Sequence, residues 1–463
     1  MFATSVIRNF SELIKNARST RDREARKLAL NALDVSVQAV DPKRIVESKV
    51  KIKGDSLAVD GFKLSLRRFK RVTVVGAGKA SGAMAEALER VLSGRITHGL
   101  LNVLEGTKSN FHIDKIELQE ASHPLPSENN TAGTERMLEL LTGLSEDDLV
   151  FCLISGGGSA MMSCPASGIS LGDKQKITRS LLKCGATIQE INTVRKHLSK
   201  VKGGWLAKEA YPSTLVSLIV SDVVGDPLDA IASGPTAPDP TTYLDAINVL
   251  KKYDLWSSSP NSIRERLDNG RRGMIPDTPK SDDESFKKVF NIVIANNRLA
   301  CYAAKHALEE FGLKTLYLTS LLEGEAREAA LVLASIIKEI DASGRPVRRP
   351  AALIAGGETT VTVKGSGKGG RNQEIALSLL GKIAGMSRVA AASLGTDGID
   401  GSTDAAGAIV DGESSNRAIA MKLNPTESLL NNDSYRFFSK MNDLIFTGAT
   451  GTNVNDLFVA VLV

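Results

Sequence analysis

The chain has 463 residues, 42% of them hydrophobic and only 5% aromatic, with a formal charge of +5. That length exceeds one ordinary core of about 100 to 200 residues, so two large domains are expected, and the interleaving of Lys and Arg with Asp and Glu, without an aromatic-interleaved basic stretch or zinc-finger spacing, excludes a dedicated nucleic-acid surface. No apolar run is long enough to span a membrane, and Cys152, Cys164, Cys184 and Cys301 form no C-x-x-C pair, so no membrane partner is expected and the thiols read as free in a reducing, cytoplasmic compartment.

At the N-terminus Val6, Ile7, Phe10, Leu13 and Ile14 recur at helical spacing between polar residues, which predicts a docking helix of the first domain rather than a secretory signal. From Arg71 onward, apolar runs alternate with helical periods. The run Val72–Val75 stops at Gly76-Ala-Gly78, and Ala80, Ala83, Met84, Ala87, Leu88 and Val91 follow, the pattern of strand, turn and helix. Lys79 stands in that turn beside Gly78, where the positive end of a helix favours an anion; the competing use is a tight packing turn with a solvated lysine. Gly82 falls one position late for G-x-G-x-x-G, and Thr73 is not the glycine of a Walker loop. Glu105 follows those glycines by more than the roughly 20 residues expected of a ribose-binding acid, and it is the main support for an NAD(P)-dependent reductase. His123, in Ser-His-Pro-Leu-Pro, serves either as a general base or as a loop histidine.

The apolar run Leu149–Ile154 ends in Ser155-Gly156-Gly157-Gly158-Ser159, a nest able to turn several N–H groups and two hydroxyls toward one anion. A serine nucleophile is the rival use, although the G-x-S-x-G elbow is absent. Arg195, Lys196, Lys200 and Lys202 accompany the apolar positions Ile191, Val194, Leu198 and Val201; such charges usually form a wet helix face, with Arg195, next to the stripe, the better site candidate. Leu215–Val220 ends at Ser221-Asp222, so three strands stop at polar loops on one rim, where parallel sheets collect ligands. Residues 257–288, charged and rich in Ser, Pro and Asp, read as the boundary between domains 1–255 and 256–463.

A second alternation opens with the strand Phe290–Ala295 and the helix Leu299–Phe311, then gives strands at 315–318, 351–355, 389–394, 443–446 and 457–462. Thr359–Val363 is expected to pair with the preceding strand as a hairpin, which makes this domain mixed α/β. The glycine-rich run Lys364–Gly370 leads into Arg371 at the start of an apolar-periodic segment, which aims an arginine at phosphate. Asp222 and Asp397 are oxygen donors of the kind that hold magnesium together with phosphate, whereas Asp400, before a glycine, is assigned to a turn. Asn296 and Asn455 either contact a nucleotide or cap backbone.

Taken in order, VVGAGKASGAMAEALE, ASHPLPSENN, LISGGGSAMMSCPASGISL, INTVRKHLSKVKGG, SDVVGDPLDAIASGPTAPDPTT, GGETTVTVKGSGKGGRNQEIAL, SLGTDGIDGSTDAAGA and TGATGTNVNDL resemble the glycerate 2-kinase family, whose C-terminal part is called the MOFRL domain. The resemblance covers almost the whole chain. It implies an α/β protein of two domains, an N-terminal Rossmann-like three-layer α/β/α sandwich and a C-terminal mixed α/β domain, with the active site in the interdomain cleft. It further implies transfer of the terminal phosphoryl group of ATP to the 2-hydroxyl of D-glycerate with Mg²⁺ or another divalent cation. On the matching motifs Lys79 and Arg371 correspond to the active-site basic residues, with Asp222 expected to orient or deprotonate the hydroxyl. Gly78, Ser155 to Ser159, Arg195, Asn296, Glu358 and Asn455 are expected at substrate or nucleotide, and Asp397 at the metal. Ile399, Ser402 and Ala449 depart from the family pattern in loops assigned to nucleotide. A hydroxypyruvate reductase and a non-catalytic phosphosugar sensor stand as alternatives, and a homodimer is left open.

Overall fold

The computed structural model describes residues 5–463. They form two compact units, one from Pro42 to Ile294, the other combining the chain up to Asp41 with Ala295–Val463. The first unit opens with an antiparallel meander of β1 (Val50–Lys53), β2 (Ser56–Val59) and β3 (Phe62–Ser65). Its main sheet holds β4 (Arg71–Ala77), β5 (His98–Leu104), β6 (Ile116–Ala121), β7 (Asp148–Ile154), β8 (Thr214–Val220) and β9 (Val289–Ala295) in the order β6-β5-β4-β7-β8-β9. The strands from β6 through β8 pair in parallel. Every residue of β7 and β8 is buried, which is why both read as unbroken apolar runs rather than as alternation. Val75, Ala77, Leu100, Val150, Cys152 and Ile154 cluster with Met137 and Leu141 of the helix Glu128–Leu141, while Val74, of opposite parity, is equally buried on the other face. The result is the three-layer sandwich expected.

The second unit is built on β10 (Lys314–Leu322), β11 (Ala351–Gly357), β12 (Val389–Gly395), β13 (Gly407–Asp411), β14 (Leu444–Ile445) and β15 (Asp456–Leu462), ordered β10-β11-β15-β12-β13-β14. β10 and β11 run parallel; β15 lies antiparallel between β11 and β12, so the sheet is mixed. This register sets Asp456 opposite both Gly357 and Gly395. The expected hairpin at Thr359–Val363 does not form. Past Gly357 the chain follows the end of β10 instead: Glu358 N–H donates to Leu322 O at 2.8 Å, Thr360 N–H to Gly324 O at 2.8 Å, and Thr362 N–H to the Glu325 carboxylate at 3.1 Å.

The division at residue 255 is therefore displaced. β9 takes the place beside β8 in the first sheet, and Ile263 and Leu267 of the helix Asn261–Arg271 are buried with Tyr243 and Leu250, so 257–288 is packed structure of the first unit rather than a connection. The N-terminal docking helix is also reassigned: Phe10–Lys15 lies in the second unit against β14, and the helix after it, Thr20–Ala39, packs on β12 and β15, with fully buried Arg26 paired to Asp411 and Asp443.

Candidate functional site

In the first unit the carboxyl ends of β4, β7 and β8 lie side by side, because β4 pairs with β7 and β7 with β8. Lys79 follows β4, just before the helix Ser81–Leu92, and its N–H donates to Gly156 O at 2.9 Å. Ser155 Oγ accepts from Ala80 N–H at 3.0 Å and so satisfies a donor at the start of that helix. The half-buried Lys79 side chain runs past Gly157: a Cβ on that glycine would fall 3.4 Å from Lys79 Cγ and 3.1 Å from His123 Cδ2. No carboxylate pairs with Lys79 among the described residues. Burial first, and then the Lys79 charge, push the His123 pKa below its ordinary value, which keeps this imidazole neutral at neutral pH. His197, by contrast, is held by Asp277 at 3.0 Å and by Thr193 O at 2.7 Å.

The nest keeps only the backbone part of the form that its sequence suggests, because the Ser155 and Ser159 hydroxyls are both engaged by protein partners. Gly157, at φ +83°, leads into the short helix Gly158–Met161, and neither the Gly156 nor the Gly157 N–H donates to a protein acceptor among the described residues. Ser159 Oγ pairs with Ser233 Oγ at 2.8 Å. Asp222 is half-buried directly after β8. Arg195 lies in the last turn of the helix Ile188–His197, where burial lowers its pKa. Lys200 is exposed, as a wet face requires, whereas Lys196 and Lys202 are buried.

Gly78 is required by its neighbour Ser155. At φ +143° it would place a Cβ 2.2 Å from Ser155 Oγ and 2.6 Å from Ser155 O. Gly78→Ala is expected to cost about 1–3 kcal/mol in strain and overpacking, read as a lower midpoint in urea unfolding. An unchanged midpoint would mean that the β4 and β7 loops are not in contact.

In the second unit Arg371 opens the helix Arg371–Leu380. Its Nη1 donates to Glu358 Oε1 at 2.7 Å, its Nε lies 2.6 Å from Asp456 Oδ2, and its Nη2 lies 3.1 Å from Asp456 Oδ1. Asn372 Nδ2 reaches Asp456 Oδ1 at 3.0 Å. Asp400, assigned to a turn from sequence, is instead a buried cap for this helix: Oδ1 accepts from Asn372 N–H at 3.0 Å and Oδ2 from Gln373 N–H at 2.8 Å. Burial, opposed by those N–H groups, raises the Asp400 pKa to about 6. Burial likewise raises Asp456 to about 7, against the pull of Arg371. Asp456 went unassigned from sequence, and the signal for it is a lone acid at the first position of a fully buried strand.

Asp397 is half-buried; its Oδ1 accepts from Ile399 N–H at 3.1 Å and lies, like Asp456 Oδ1, within 3.5 Å of where a Gly395 Cβ would sit. Asn296 caps the helix Asn297–Glu310 by accepting from Leu299 N–H at 3.0 Å. Asn455, in a left-handed conformation at φ +65°, offers its carbonyl to Thr396 N–H at 3.0 Å and joins the ends of β12 and β15. Of the four free cysteines, Cys152, Cys164 and Cys301 are buried and Cys184 is exposed. No helix among the described residues is long and apolar enough to cross a membrane.

A parallel α/β unit with a lysine and a glycine nest on its carboxyl rim, together with a mixed unit presenting an arginine after a glycine run, defines a two-unit α/β protein. Residues 28–268 match a domain of unknown function, DUF4147, and residues 351–456 match the MOFRL family. The chain is 43% identical over 440 residues to the glycerate 2-kinase of Pyrococcus horikoshii, covering 95% of this chain and 98% of that one. It is 44% identical over 438 residues to the D-glycerate 2-kinase of Thermotoga maritima, again covering 95% and 98%. The crystal structure of glycerate kinase from Thermotoga maritima superposes with a TM-score of 0.84 at 43% identity, over 94% of this chain and 99% of that one. The chain belongs to the glycerate kinase family, with a C-terminal MOFRL segment.

Proposed function

We propose that this protein is an ATP-dependent glycerate 2-kinase that phosphorylates D-glycerate at its 2-hydroxyl. The observation that carries this is the Lys79 side chain, without a carboxylate partner among the described residues, running past Gly157 of a nest whose Gly156 and Gly157 N–H groups are open, on the carboxyl rim of a parallel sheet. Phosphoryl transfer asks chiefly for positioning and for cations around the oxygens of the moving group. Lys79 and the nest receive the carboxylate or the transferred phosphoryl, Asp222 orients or deprotonates the hydroxyl, and Arg371 stabilises the charge that develops on the moving group. Arg195, Asn296, Glu358 and Asn455 are assigned to substrate or nucleotide.

Among the described residues no group of three or more His, Cys, Asp or Glu side chains is arranged to hold a metal. That fits magnesium, which takes one or two carboxylates plus phosphate oxygens rather than a protein cage. Asp397 is assigned to it, and the ion when bound neutralises charge on the phosphate oxygens. A reducing cytoplasm suits the four free thiols, and the assembly is proposed as a homodimer.

A reductase is disfavoured on geometry. A dinucleotide site needs open backbone at its second glycine so that pyrophosphate can approach, and here Ser155 Oγ fills the space over Gly78. The name of one relative from Agrobacterium vitis, 40% identical over 438 residues, carries hydroxypyruvate reductase as a provisional activity. Coupled ADP release with D-glycerate, NADH oxidation with hydroxypyruvate, and phosphorus NMR of the product separate these activities and fix the position phosphorylated. Lys79→Met is expected to lower kcat/KM by about 10² to 10³ without loss of fold, since its ammonium holds no structural ion pair. Normal kcat/KM would remove Lys79 from the mechanism.

A further inference from the structure

The segment Asn192–Lys202 carries three buried basic groups, and two of them have evident partners. Lys196 Nζ reaches Asp229 at 3.1 Å and Asp239 at 3.3 Å, and His197 pairs with Asp277. Lys202 differs. Its Nζ donates to the carbonyl oxygens of Ser159 at 2.7 Å, Met162 at 3.0 Å and Ala232 at 3.5 Å, and no carboxylate pairs with it among the described residues. Three carbonyls match the three N–H bonds of an ammonium; a neutral amine would turn its lone pair on one of them. Burial, and after it the positive charges of Lys174 and Arg195, lower the Lys202 pKa well below its ordinary value, so the three carbonyl acceptors are what hold the proton on this amine.

Lys202 also joins two segments of the rim. Ser159 closes the nest, while Ala232 and Ser233, at φ +51° and +62°, form a left-handed turn of non-glycine residues that relies on its surroundings to persist. A second tie runs parallel to the first, from Ser159 Oγ to Ser233 Oγ at 2.8 Å and on to Asn192 Oδ1 at 3.1 Å. We infer that Lys202 is a positioning residue for the Ser155–Ser159 loop, clamping it to the Ala232–Ser233 turn and setting a buried positive charge behind the amides that receive the substrate's anionic oxygens. This rests on the nest being an anion cradle in the proposed kinase.

The full-length protein and its K202M and K202Q variants are compared by thermal unfolding and by calorimetric titration with D-glycerate alone and with ATP alone. K202M is expected to weaken one of the two ligands about 10- to 100-fold, as for loss of a charge-assisted interaction. Weakening confined to D-glycerate assigns the carboxylate to the nest; weakening confined to ATP assigns its phosphates. K202Q keeps two donors for the carbonyls without the charge, so it is expected to regain Tm but not affinity. Wild-type affinities in folded K202M or in K202Q overturn the inference. If K202M does not fold, S233A decides: it cuts the parallel tie, several-fold weaker binding is expected, and unchanged binding overturns the inference. A wild-type protein that binds neither ligand overturns the kinase assignment itself, which is a separate result.

Discussion

Arg371→Ala is expected to lower turnover by about 10³ to 10⁵, or about 4–7 kcal/mol of barrier, the range seen when an arginine is removed from a phosphoryl-transfer site. The geometry supports so large an effect, because this guanidinium is fixed in advance: Asp456 holds Nε at 2.6 Å and Glu358 holds Nη1 at 2.7 Å. Arg371→Lys keeps the charge but loses the fork that meets both carboxylates, so it is expected to recover only part of the rate. The same substitutions have a stability signature. Burial already raises Asp456 to about 7, and Arg371 is the main influence holding it down, so alanine lets that pKa climb further. A carboxyl with a folded pKa above its unfolded value binds more protons in the native state, and stability falls as pH rises through the interval between the two. The Tm gap between wild type and Arg371→Ala is therefore expected to be small near pH 5 and to widen above about pH 7. Turnover near wild type in folded protein would remove Arg371 from the mechanism, and a pH-independent gap would remove Asp456 as its partner.

The parts legible in sequence are those whose signal is local. β4, β7 and β8 declare themselves because strands covered on both faces must be apolar throughout, and the loops that follow them declare themselves by glycine and serine. Arg371 was visible for the same reason, at the junction of a glycine run and a helical period. The partner of a strand is not a local property. β9 has the same apolar run wherever it pairs, and only the assembled sheet shows it beside β8, which moves the boundary between units by some forty residues. Asp400 illustrates a second limit. Its flanking glycine signals a turn, and a turn is present, but the carboxylate's burial under the first N–H groups of a helix that begins 29 residues earlier depends on tertiary placement. Lys202 is the same case with opposite charge: a lysine among helical charges belongs in water on average, and its three carbonyl partners come from two distant loops.

Arg26 carries the second large expectation, on stability rather than rate. Its side chain is fully buried, with Nε on Asp411 at 2.5 Å, Nη1 on Asp443 at 2.7 Å, and Nη1 also on Leu13 O at 3.0 Å. Arg417 completes the network at 2.5 Å from Asp443, so two cations face two buried carboxylates. Arg26→Met is expected to destabilise the protein by about 3–5 kcal/mol, because it strands carboxylates whose desolvation Arg417 alone does not offset. Burial favours the neutral Asp411, yet Arg26 and Arg417 outweigh it and depress the pKa below the usual carboxylate value. Stability from a depressed carboxylate is present above its unfolded pKa and is lost as pH falls through the folded one. The difference between wild type and Arg26→Met is therefore expected to be full at pH 7 and to shrink below about pH 4, near the ordinary aspartate pKa. Arg26→Lys, with one ammonium in place of a fork, is expected to fall between the two. Urea unfolding across that pH range measures all three, and a loss below about 1 kcal/mol at pH 7 would place the arginine in solvent, as for an exposed pair, and detach the helix Thr20–Ala39 from the sheet that it covers.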